Sequence, residues 1–99
     1  MKTINKKEVR LNFGKATTRL AGNPYGREVF EKQAKQIIDY NAENTVIFPD
    51  TIEKVASSFV QGFFAEIIEK IGYAKFDEVI KIKAQNEELE NDIHDDLLY

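Results

Sequence analysis

The chain alternates three times between a short β-patterned run and a longer helix-patterned run, and this order constrains its fold more than any other feature. Residues 8–13 alternate with period two, which makes a strand with Val9, Leu11 and Phe13 on its buried face. Gly14 closes the strand, and residues 15–23 read as a loop. Asn23-Pro24 then starts a helix, because Asn caps and Pro suits the first helical position. That helix runs to about Tyr40, with Phe30, Ala34, Ile37 and Ile38 as its inner stripe. Residues 45–48 form an apolar run with no polar alternation, as expected of a central strand covered on both faces. Pro49 stops it, and residues 50–56 are a connector. A second helix covers 59–71, where Gly72 is placed to end it. Residues 79–83 are the third strand, and Asn86 caps a last helix with Glu87 and Glu88 in its first turn and Leu89, Ile93 and Leu97 inside. Strand–helix repetition of this kind implies parallel strands joined by right-handed crossovers. The expected fold is α/β, a small, mostly parallel sheet in β-α-β-α-β-α order, in one domain over residues 1–99. Residues 2–5 could add a short edge strand.

Several chemistries find no residues to carry them. With 99 residues, no cysteine and a single histidine, the chain offers no disulfide framework, no thiolate and no second soft ligand for a typical zinc site. No Gly-rich phosphate loop and no plausible nucleophile–base pair occur, so no enzyme and no cofactor are expected. No apolar run approaches the ~20 residues of a membrane span, and residues 1–7 are basic without the apolar centre of a signal peptide. The expected address is therefore cytoplasmic. The net charge of −3 is unevenly spread: residues 1–35 carry nine Lys/Arg against three Asp/Glu, and residues 36–99 carry five against fourteen. The basic part is either a nucleic-acid patch or a solvated surface attracted by the acidic remainder.

The start of the second helix is the most informative segment. Ser58 followed by Gln61 has capping-box spacing, with the Ser58 hydroxyl expected to accept the N–H at Gln61. Phe59, Phe63 and Ile67, with Val60, Phe64 and Ile68, make a wide apolar face. Gly62 inside this helix costs roughly 1 kcal/mol against Ala, which points to another backbone coming close. Strand ends where the next helix begins are favoured binding places in open parallel sheets, and a phosphate on a serine there would meet free N–H groups and a favourable dipole.

The Ser57-Ser58-Phe59 run, followed by Gly62-Phe63-Phe64, resembles the STAS-like domain family of unknown function, distantly similar to the STAS domains of anti-sigma-factor antagonists. Arg19, Gly22, Pro24, Gly26, Glu28 and Phe30 look like the Arg, the Gly-Pro-rich loop, the acid and the Phe that accompany this element in the family. The similarity covers about residues 8–95. It implies a STAS-like fold and a protein partner, a histidine-kinase-like ATPase, docking at the start of the second helix. Ser57 stands where true STAS domains carry their phosphorylated serine, but Ala56 and Phe59 replace the flanking Asp and Gly.

The candidate partner-binding or switch residues are accordingly Ser57, Ser58, Arg19, Asn23 and Phe59. Arg19 is either a solvated charge or an anion clamp near the helix start. Ser57 should be the more exposed serine and Ser58 the structural one, so that Ser57→Asp leaves the fold intact and weakens a partner. Asp50 with Glu53 reads as the cap of a single turn, and His94, among Asp92, Asp95 and Asp96, as a hydrated surface histidine. The alternative function is a nucleic-acid-associated protein using residues 1–35. A homo-oligomer through the 79–83 edge stays open, although Lys81 and Lys83 argue against a sticky edge.

Overall fold

The computed structural model describes residues 5–97. Strands β1 (Lys6–Arg10), β3 (Glu43–Ile47) and β5 (Ile80–Lys83) form one parallel sheet in the order β1-β3-β5. Helix α1 (Asn23–Val29) continues through a π-helical turn (Phe30–Ala34), α2 spans Ser57–Val79, and α3 spans Glu87–Asp96. Two-residue strands β2 (Arg19–Leu20) and β4 (Lys54–Val55) pair in parallel as a separate ribbon. The α/β fold with a small parallel sheet and helical crossovers is thus as its periodicity implied. The edge strand considered at residues 2–5 lies outside the described residues except for Asn5, whose carbonyl accepts from Glu43 N at 3.0 Å.

The strand order explains the layering. Each crossover moves one position in the same direction across the sheet, and right-handed crossovers of that kind place their helices on one face. In-register Val9, Val46 and Ile82 point to that helical side, where Val9 and Val46 are fully buried. Neighbouring residues face the other way: Glu8, Arg10, Lys81 and Lys83 are exposed, and Thr45 and Ile47 are half-buried. The expectation that residues 45–48 are covered on both faces is therefore overturned. β3 is central, but only one of its faces lies under helices.

Local departures have local causes. β1 ends at Arg10 instead of residue 13; Leu11 N still reaches Ile47 O (2.9 Å), but Asn12 is held instead by Gln33, whose side chain bonds both its N–H (2.7 Å) and its carbonyl (2.8 Å). Half-buried Phe13 leaves the sheet for Tyr25 and Phe59. The expected loop at 15–23 contains β2, and the connector at 50–56 contains β4. The α-helical pattern stops at Val29, because the wider π turn swings the following residues around, which leaves Ile37 45% exposed while Phe30 and Ala34 stay buried. Gly72 does break α2, at φ 75° and ψ 168°, but the chain resumes a helix to Val79.

Phe63 is the centre of the core, with Phe30, Phe48, Phe59 and Phe64 rings at 4.7–6.4 Å. Phe63 and Ile67 are both fully buried, as expected. α1 crosses α2 at two glycines. A Cβ on Gly62 would strike the carbonyl of Asn23, and one on Gly26 would strike the backbone of Phe59 and Phe63. Gly62 thus trades helix propensity for contact between two backbones, as its place in the helix suggested.

Candidate functional site

All three helices begin at the C-terminal end of the sheet, and the loops there are stitched together. Glu53 N donates to Thr18 O (2.7 Å), Ala56 N to Leu20 O (2.8 Å), and the Gln85 side chain to Ile52 O (2.7 Å). The sheet has no reversal of strand order, so it lacks the crevice that gives switch points their ligand sites. What this end presents is a surface.

The α2 start differs from the capping box in a specific way. Pairing of β4 with β2 keeps the chain extended to Ala56, which is the N-cap and has no side-chain cap bond. Ser58 therefore falls inside the first turn, and its Oγ accepts from Gly22 N at 3.0 Å. It ties the entrance of α1 to α2 instead of capping its own helix. Ser57 is the exposed serine of the pair and Ser58 is half-buried.

Other expected roles are also corrected. Phe59 is fully buried against Tyr25 (5.5 Å) and Phe63 (6.0 Å), so it offers a partner nothing; Tyr25, 40% exposed, occupies the outer position. Asn23 is not the cap of α1. Gly22 takes that place at φ 100°, a backbone region that suits glycine, and Asn23 Oδ1 accepts from Arg27 Nε at 2.9 Å. Asp50 caps nothing: the segment closes by a turn from Ile52 N to Pro49 O (3.0 Å). His94 is bonded through Nε2 to Asp77 Oδ1 (2.7 Å), joining α3 to the last part of α2, and its nearest approach to Asp95 is 4.0 Å.

Charge at the α2 start is divided. Exposed Arg19 and Lys54 are register partners on β2 and β4, with neighbours Leu20 and Val55 buried, so the two cations share one outer face. Lys54 also borders an open groove of about 380 Å³ that runs between the α2 start and α3. Val55, Ala56 and Leu89 supply its apolar part, and Glu53, Asp92, Asp95 and Asp96 its acidic part, with Ser57 among the lining residues. Burial, then the charges of Asp92 and Asp95, push the Asp96 carboxyl above its ordinary range. These acids sit in the last turns of α3, where the helix dipole also disfavours negative charge. The acids of α3 stand together in the sequence, but that Glu53 joins them was not legible there, because the two segments are far apart along the chain.

The basic first third is partly neutralised in place. Arg10 pairs with Glu8, Lys32 with Glu28, and Lys35 with both Glu31 and Glu66. Among the described residues no group of three or more His, Asp or Glu side chains is arranged to hold a metal ion, and no helix is long and apolar enough to cross a membrane. Comparison with protein-family models, with curated proteins and with solved structures finds no match for this chain.

Proposed function

We propose that this chain is a non-enzymatic, STAS-like protein-binding module that docks a partner at the start of α2, and that this partner is a histidine-kinase-like ATPase, as the sequence resemblance implies. The observation that carries the reading is the pairing of an exposed Ser57 with an open groove of mixed character. Arg19 and Lys54 offer cations for partner carboxylates, the acids of α3 offer anions for partner Lys or Arg, and Val55, Ala56 and Leu89 offer apolar contact. Complementary charge around an apolar centre is how protein surfaces select and orient each other. The site also rests on a rigid base, since Ser58 is bonded to Gly22 and the α1–α2 contact at Gly26 and Gly62 has no slack. A preorganised surface loses less on association.

Ser57 is the switch in this reading. A carboxylate or phosphate there adds negative charge to a groove that already holds Asp92, Asp95 and Asp96, and it changes the surface a partner meets. The test compares wild type, Ser57→Asp and Ser58→Ala as baits in the native host. An ATPase of the expected class that is captured by wild type and Ser58→Ala, and lost with a folded Ser57→Asp, supports the docking site. Equal capture by wild type and Ser57→Asp removes Ser57 from the interface. The basic residues 1–35 keep a nucleic-acid role as the alternative, for which salt-dependent retention on heparin is the direct check.

A further inference from the structure

All-parallel sheets are almost always covered on both faces. Among the described residues the β1-β3-β5 sheet is all-parallel and carries helices on one face only. The uncovered face is ordered by register into two rows. Arg10, Ile47 and Lys83 form one, a half-buried apolar residue between two exposed cations; Glu8, Thr45 and Lys81 form the other. With Lys6 and Glu43 added, the face holds four cations and two carboxylates, of which Arg10 and Glu8 already pair at 3.0 Å, in a chain whose net charge is −3. The negative excess lies elsewhere, and its densest exposed stretch is α3, with Glu87, Glu88, Asp92 and Asp95 all exposed.

We propose that the uncovered sheet face receives the acidic ridge of α3 from a second copy, so that the chain self-associates head to tail. The dimensions agree. A five-residue strand spans about 17 Å, and a ten-residue helix such as α3 about 15 Å. The other helices suit the role less well. α1 carries its own Glu28–Lys32 and Glu31–Lys35 pairs, and the exposed acids of α2, Glu69, Asp77 and Glu78, are interleaved with exposed Lys70 and Lys75. Within one copy α3 packs against α2 and β5 with Asp92 and Asp95 turned toward the α2 start, so these acids meet the sheet face only between copies. Face-to-face pairing of two such sheets sets cation against cation and is disfavoured. After one such contact each copy keeps an open face or an open ridge, so the head-to-tail contact is heterologous and builds rings or open chains. One short helix on three strands covers less than a standard interface, so the association is weak and salt-sensitive. This inference does not rest on the proposed partner, although Asp92 and Asp95 belong to both surfaces and a docked copy would compete with it.

The test needs only the purified chain. Sedimentation of wild type at low ionic strength should show a mass that climbs with concentration, and about 1 M salt, where the Debye length is about 3 Å, should return it to the monomer. R10E/K83E and D92K/D95K, all surface changes checked for fold by circular dichroism, should each be monomeric alone. A wild type that stays monomeric at every concentration in low salt overturns the proposal. So does association that survives R10E/K83E, or that persists unchanged in high salt.

Discussion

Asn44 gives the sharpest test of how this fold is held. Its side chain is fully buried in the central strand, where a polar group needs a complete set of partners. Oδ1 accepts from Asp39 N (3.0 Å), and Nδ2 donates toward the carbonyls of Asp39 (2.8 Å), Ala42 (3.1 Å) and Val79 (3.2 Å), two hydrogens shared among three acceptors. One amide thus joins the turn after α1, the entry to β3 and the end of α2. In Asn44→Ala the Asp39 N–H is left buried without its acceptor, and the carbonyls lose their donor. An orphaned buried group costs about 1–3 kcal/mol and each lost bond about 1 kcal/mol net, and the vacated volume adds to this. We expect a total loss of about 3–4 kcal/mol. Whole domains of this size are stable by only about 5–15 kcal/mol, so the melting temperature should fall by roughly 15–25 °C. Urea unfolding followed by circular dichroism measures it. Asn44→Asp separates donor loss from volume loss. Its carboxylate would face three carbonyl oxygens, which raises its folded pKa above the unfolded value. The added penalty is therefore present above the folded pKa and shrinks as pH falls through it, because protonation restores one donor. Stability within 1 kcal/mol of wild type for Asn44→Ala would refute the reasoning.

Three further outcomes follow from particular contacts. Gly62→Ala should cost more than about 3 kcal/mol or prevent folding, since its Cβ meets the Asn23 carbonyl backbone, whereas Gly72→Ala, with open space around it but at φ 75° and ψ 168°, a region essentially confined to glycine, should cost only the backbone strain of about 1–3 kcal/mol; urea midpoints of the two variants compare these terms. Ser58→Ala should lose about 1 kcal/mol with the bond from Gly22, and Ser57→Ala should melt like wild type. Asp96→Asn should raise the melting temperature slightly at neutral pH. Burial and the neighbouring Asp92 and Asp95 raise the folded pKa of Asp96, so its destabilising effect is present above that pKa and is relieved as pH falls through it; the gain from the Asn variant should vanish in acid.

Local chemistry alone determined a good part of this protein. Alternation of period two and period 3.6 set the order of strands and helices, Asn86 caps α3 as its residue type and the acidic turn after it implied, with the Leu89 N–H bonded to its Oδ1 at 2.8 Å, and Gly72 breaks its helix. The energetic oddity of a glycine at position 62 also foretold a backbone contact, because a residue that weakens its own helix needs a compensating neighbour. The tertiary structure decided whatever depends on two segments meeting. Ser58 carried the signature of a cap, but pairing of Lys54-Val55 with Arg19-Leu20 moved the helix start and turned its hydroxyl to Gly22. Phe59 stood beside the candidate serines in sequence and is under Tyr25 and Phe13 in space. Val46 and Ile47 looked alike as apolar strand residues, yet one is sealed under helices and the other lies on the open face. That difference follows from the direction in which successive strands join the sheet, and periodicity within a strand carries no information about direction.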